Sequence, residues 1–162
     1  MAHLLYQREK IINNFMNQAV NTIIKHCLGK GIGTIVTGEM KGIKQNAKLG
    51  RKTNQNFLFI PFYRFRQKLS SKCAFYGINY LEVNEAYTSQ TCSHCGLRRK
   101  ANRKYRGLYV CNSCGIALNA DVNGAINILQ KVAPESSYQK IWNSGCVNRP
   151  YRIRVVSFKT ST

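Results

Sequence analysis

Acid is what this sequence is short of. Only six of its 162 residues are Asp or Glu, and Asp121 is the sole aspartate. Against them stand 25 Lys and Arg, a formal net charge of +19, which repels itself until a polyanion neutralises it. Nucleic acid is therefore the expected partner and a small-molecule substrate is not. Long apolar runs are also lacking. No stretch of about 18 apolar residues spans a bilayer, and no apolar segment after a basic start reads as a signal peptide. No membrane partner is expected, and the location implied is cytoplasmic. What is present, 44% hydrophobic residues, suffices for a core of modest size, which excludes a chain disordered throughout.

Seven cysteines are too many to be incidental and odd in number. Four fall in two knuckles, Cys92-Ser93-His94-Cys95-Gly96 and Cys111-Asn112-Ser113-Cys114-Gly115. C-x2-C-x15-C-x2-C spacing lets Cys92, Cys95, Cys111 and Cys114 close one tetrahedral zinc site, because each knuckle turns two sulfurs toward a common point and the following glycine lets the chain fold back. Cys27, Cys73 and Cys146 are then thiols in a reducing compartment, small core residues rather than reactive ones.

In chain order, Leu5, Ile12, Phe15, Met16, Ala19, Val20, Ile23, Ile24 and Cys27 recur at helical intervals, predicting a long helix over about 4–28 with one buried face. Glycines 29, 31 and 33 end it, and the β-branched run 34–37 reads as a buried strand. Residues 41–52 carry five cations, Lys41, Lys44, Lys48, Arg51 and Lys52, with no acid and two glycines, a cationic loop suited to phosphates. Pro61 opens a second helix whose stripe is Phe62, Phe65, Leu69, Cys73 and Tyr76, with Gly77 as its stop. Residues 78–85 form a further strand. Strand, helix, strand in this order implies a parallel pair with a right-handed crossover, too little sheet to stand alone, so other strands are expected to complete it. Between the knuckles, Arg98, Arg99, Lys100, Arg103, Lys104 and Arg106 crowd one finger. A last helix over about 120–132, capped by Asn119 or Asp121, is expected to bury Val122, Ala125, Ile126 and Leu129. The remainder is a basic tail in which 151–156 alternates like an edge strand.

Asp121 has two readings. Alone, it is a helix N-terminal carboxylate that interacts with the dipole, worth about 0.5–1 kcal/mol. Glu39 and Glu85, however, end the two predicted strands, positions from which acids converge at the edge of a parallel sheet. Such a cluster binds divalent metal through oxygen and supports phosphodiester hydrolysis.

The residues at 35–43, 82–92, both knuckles and Asp121-Val122-Asn123-Gly124-Ala125-Ile126-Asn127-Ile128 resemble the C-terminal half of TnpB (OrfB)-type transposon-associated proteins, RNA-guided DNA nucleases related to type V CRISPR effectors. The resemblance implies an α/β fold: a partial RNase H-like (RuvC-like) core with an inserted four-cysteine zinc ribbon. It divides the chain into a partial core (1–87), the ribbon (88–118), the last core helix with the acidic motif (119–133) and the tail (134–162). It implies structural zinc, magnesium on three carboxylates, and DNA and guide RNA as partners. Asp121 resembles the third carboxylate. Where the commonest pattern has its second Glu this sequence has Gly38, so Glu39 or, from the strand before the ribbon, Glu85 takes that role, with Glu85 ranked first. The first carboxylate is an upstream Asp that these residues do not contain. The implied chain is a nucleic-acid-binding part of such a nuclease that does not cut alone. The alternatives are a half-nuclease completed in trans by an N-terminal fragment or full-length copy, and a decayed transposase remnant.

Overall fold

The computed structural model describes residues 2–39, 60–105 and 107–133. The basic loop with Lys41, Lys44, Lys48, Arg51 and Lys52, as well as Arg106, Cys146 and the strand expected over 151–156, lie outside these residues. The described chain runs α1 (Ala2–Gly29), β1 (Thr34–Glu39), α2 (Phe62–Phe75), β2 (Asn79–Asn84), a 3-10 turn (Lys100–Asn102), β3 (Arg103–Tyr105), β4 (Leu108–Val110), β5 (Ala117–Leu118) and α3 (Ala120–Leu129). No described helix is long and apolar enough to cross a membrane. β1 and β2 pair in a two-stranded sheet, and β3, β4 and β5 form a second one.

The chain divides into two compact units, with crossings at 35/36 and 80/81 among the described residues. In the first, α1 meets α2. Val20, Ile24 and Cys27 on α1 pack with Leu69, Cys73 and Ile78, and Ile23, Ile35, Phe65 and Tyr80 lie around them. The i, i+4, i+7 spacing of the α1 residues puts them on one face, and each large apolar side chain buried there contributes about 1.5–3 kcal/mol. Both helices end alike. Gly31 and Gly77 adopt positive φ (64° and 68°), and the next N–H, of Ile32 and of Ile78, returns to the carbonyl of Cys27 and of Cys73 at 2.8 Å. Only glycine takes this turn without strain. Two expectations fail here: Leu5 and Phe15 are exposed (58% and 57%), and Tyr76 is 44% exposed. The apolar face of α1 is covered only toward its C-terminal half, and residues 3–11 are all exposed.

The second unit holds 36–39 and 81–133 of the described residues. Its three short strands are antiparallel, with Tyr109 opposite both Arg103 and Leu118. Its core is small: Cys92, Tyr109, Cys111 and Ala120 cluster with Ile116 against them, and Leu118 and Ile126 are buried as well. The face that α3 buries also differs from expectation. Ala120, Asn123, Ile126 and Asn127 are buried, whereas Ala125 is exposed and Val122 and Leu129 are half-buried.

Candidate metal centre and acidic helix

The two knuckles are built identically. The Cys92 N–H donates to Leu97 O and the Gly96 N–H to Cys92 O, both at 2.9 Å; Cys111 N to Ile116 O and Gly115 N to Cys111 O repeat this at 2.9 and 3.0 Å. Gly96 and Gly115 carry positive φ of 75° and 72°. The sulfurs of Cys92, Cys95, Cys111 and Cys114 consequently all lie within 4.8 Å of one another. Cys92 and Cys114 are 3.7 Å apart, Cys95 and Cys111 3.6 Å. These spacings are far too long for a disulfide. They match the edge of about 3.8 Å of a thiolate tetrahedron with metal–sulfur bonds of about 2.3 Å. The four thiols can thus hold one metal ion.

Their electrostatics are uneven. Burial pushes the Cys92 thiol up to about 12, against the N–H groups of Cys95 and His94 that lower it. At Cys111 burial also pushes upward. There the N–H groups of Cys114 and Ser113 and the sulfurs of Cys95 and Cys114 prevail and bring it down to about 6. A cation in the middle stabilises all four thiolates together. Around the sulfurs, the Asn102 amide donates to Cys111 Sγ at 3.7 Å and to the Tyr109 hydroxyl at 3.4 Å, and that hydroxyl donates to Gln90 O at 3.3 Å.

The last helix is fastened to the first knuckle by amides. Asn123 Oδ1 accepts from the N–H and hydroxyl of Ser93 at 3.0 and 2.8 Å, while its Nδ2 donates to Thr91 O at 2.8 Å. One turn on, Asn127 donates to Thr88 O and Thr91 O at 2.8 and 2.7 Å. Gln130 then donates to Ser93 O at 2.7 Å. Positions 123, 127 and 130 form one helical stripe, and its amides satisfy backbone groups of 88–93 that burial would otherwise leave unpaired. An apolarity pattern is blind to this contact. The signal that could have found it is three amides at i, i+4 and i+7 beside an acid and a zinc knuckle.

Asn119 rather than Asp121 caps α3, its Oδ1 accepting from the N–H groups of Asp121 and Val122 at 2.9 and 3.2 Å. Asp121 therefore has its carboxylate available. Its side chain is 82% exposed and lies 3.4 Å from Arg103 of β3. Glu85, just past β2, is half-buried and stands against Gly38. A Cβ added to Gly38 would come within 3.0 Å of Glu85 Cβ and collide with its carboxylate oxygen. Glu39 is the next residue of β1, where alternation turns side chains to the opposite face. Of the basic finger, Arg98, Arg99, Lys100, Arg103 and Lys104 are exposed, and the Arg98 guanidinium stacks 3.2 Å above the Tyr87 ring centroid.

The described residues form a mixed α/β chain with four thiols placed to hold one metal ion and a short helix that opens beside an acid, and the comparisons narrow its class. Residues 62–128 match the family described as Cas12f1-like, TNB domain. The CRISPR-associated endodeoxyribonuclease Cas12f1 of Syntrophomonas palmitatica is 32% identical over 112 residues, 68% of this chain and 22% of that protein. TnpB-like protein L79 of Acanthamoeba polyphaga mimivirus is 34% identical over 115 residues, 70% of this chain and 21% of that protein. Among solved structures, a cryo-EM Cas12f1–sgRNA–target DNA complex matches with TM-score 0.65 and 25% identity, over 78% of this chain and 36% of that one. The chain is of the TnpB/Cas12f type and spans about a fifth of the length of these two curated relatives.

Proposed function

We propose that this chain is a nucleic-acid-binding, zinc-ribbon part of a TnpB-type RNA-guided DNA nuclease. The residues 1–87 and 119–133 contribute to a RuvC-like core, and the ribbon 88–118 lies between them. The carrying observation is that the segment between the two knuckles displays five exposed cations over 98–104, of which Arg103 alone is paired with a described carboxylate. Zinc suits four thiolates at these spacings, and the basic segment 98–104 suits phosphates. The related Cas12f1 structure is a complex with guide RNA and target DNA, which supports the same two partners here.

In this reading Asp121 and Glu85 are two of three acids that hold magnesium, which when bound polarises a phosphodiester and activates water. Glu85 is preferred over Glu39 because its carboxylate fills the space over Gly38, the position at which the commonest family pattern carries its acid. The third acid comes from residues outside these 162, in cis or from a second chain. On its own the chain binds and does not cut.

Binding measured by fluorescence anisotropy is expected to weaken steeply with salt, with a log–log slope near −0.9 per duplex phosphate contacted. Arg98→Glu combined with Lys100→Glu should lower affinity at least tenfold. An affinity indifferent to salt overturns the reading. Cleavage by the chain alone with magnesium, lost in Asp121→Ala, would show instead that its own acids complete the site.

A further inference from the structure

A second surface lies in the first unit, which holds neither the four knuckle thiols nor Asp121. Between α1 and α2 runs a groove of about 640 Å³ lined by Asn17, Val20, Asn21, Gln67, Lys68, Ser71 and Lys72. Its floor is the buried Val20; among the described residues its walls offer three amides, a hydroxyl and two ammonium groups, and no carboxylate. The Lys68 ammonium is steadied by the neutral Asn17 Oδ1 at 2.9 Å, so no described carboxylate compensates its charge. The nearby acid on α1, Glu9, is already paired with Arg64 at 2.6 Å.

Exposed aromatics stand on α2 at either end of this groove. Tyr63 is 66% exposed and its hydroxyl accepts from Gln67 Nε2 at 2.9 Å. Twelve residues later stands Phe75, 78% exposed, edge-on to Tyr76 at 5.0 Å, with the Lys72 ammonium about 6 Å from both rings. Twelve helical residues span about 18 Å, the length of about five nucleotides at ~3.4 Å each. Large exposed rings interleaved with lysines are costly on a face that meets only water. They match unpaired bases, which stack on rings while cations track the backbone. A duplex presents no such free base faces.

We infer that the α1–α2 groove binds the backbone of a single-stranded nucleic acid through Lys68, Lys72 and the flanking amides, with bases stacking on Tyr63 and Phe75. This surface does not depend on the ribbon, and neither does its test. The zinc-loaded full chain is titrated with labelled 15-nucleotide single strands of DNA and of RNA, and with a duplex. Lys68→Gln with Lys72→Gln should weaken single-strand binding about tenfold and reduce the salt slope by about 1.4, two contacts at 0.7 each. Phe75→Ala should weaken it several-fold and leave the slope unchanged. Both variants alter surface side chains, and unchanged zinc content and circular dichroism establish that they fold. In the wild type, a photoreactive single strand should crosslink to 63–76.

Unchanged single-strand affinity and slope in the lysine variant, or crosslinks confined to 98–105, overturn the groove while leaving the ribbon reading standing. A wild type that binds duplex only does the same. Loss of duplex binding in Arg98→Glu/Lys100→Glu with single-strand binding intact supports two separate surfaces. The ratio of the DNA to the RNA arm tells which strand the groove takes.

Discussion

Cysteine does opposite jobs in the two units. In the first, Cys27 and Cys73 are buried among Val20, Ile24, Leu69 and Ile78, and burial raises both thiols above their ordinary range. They act as small hydrophobes. In the second, four sulfurs converge within 4.8 Å, and the buried apolar residues described are few: Tyr109 and Ala120 beside Cys92 and Cys111 with the half-buried Ile116, together with Leu118 and Ile126. Amides of Asn102, Asn123, Asn127 and Gln130 do what apolar contacts do in the first. A unit with so little apolar surface to bury needs a staple, and metal-ligand bonds are the staple available without disulfides.

The sharpest break between the two is metal removal. A chelator should unfold the second unit, since structural zinc binding is worth about 10 kcal/mol or more at neutral pH, and leave the first folded. Hydrogen exchange by mass spectrometry reads this directly: protection lost over 88–129 and retained over 16–27 and 65–75. Acid acts in the same direction. Zinc-bound thiols are deprotonated, so the metal-loaded state binds fewer protons than the free chain, and stability is present at neutral pH and lost as pH falls. Equal loss in both units would refute the division.

Next in size is the reverse experiment. Leu69→Ala, at a side chain 2% exposed, should destabilise the first unit by about 2–5 kcal/mol with zinc content and release rate unchanged. Asn123→Ala is the counterpart in the second. It strips partners from Ser93 N–H, the Ser93 hydroxyl and Thr91 O, which should cost about 2–3 kcal/mol at a fully buried site. It should also speed zinc release about tenfold, because that amide holds the knuckle which carries two ligands. A stopped-flow chelator assay that finds release unaltered would show that knuckle and helix are independent.

These contrasts explain what the amino-acid pattern revealed. The knuckle spacing announced the four-thiol site because ligand geometry is local to each C-x2-C-x-G turn. The helices α1 and α2 were legible from apolar periodicity. Leu5 and Phe15 were misplaced because periodicity tells which face is apolar and not how far along a partner covers it. The buried face of α3 was misread at Ala125, Asn123 and Asn127 for a different reason. Asparagine ranks as polar, and the backbone groups that make its burial favourable lie some 30 residues away in the first knuckle. The stand-off between Gly38 and Glu85 was likewise invisible in one dimension. It depends on which face of β1 the Glu85 side chain crosses.

The smallest effect concerns how helices begin in the two units. α2 starts after Pro61 with no side-chain cap, and near that end Arg64 pairs with Glu9 of α1. α3 is only ten residues long, and its first turn hangs on Asn119, whose Oδ1 takes the N–H groups of both Asp121 and Val122. Asn119→Ala should therefore cost about 1 kcal/mol, seen as faster exchange confined to 120–123, whereas Asn119→Asp keeps an acceptor there and should restore most of it. Pro61→Ala should shift stability by less, about 0.5 kcal/mol at most, as a position that supplies no cap bond. The Arg103–Asp121 pair offers no rescue, because an ion pair with one partner 82% exposed contributes between 0 and about 1 kcal/mol and fades with salt. If Asn119→Ala leaves exchange at 120–123 unchanged in the zinc-loaded protein, the amide stripe at 123, 127 and 130 alone sets the direction of Asp121, and the cap is redundant.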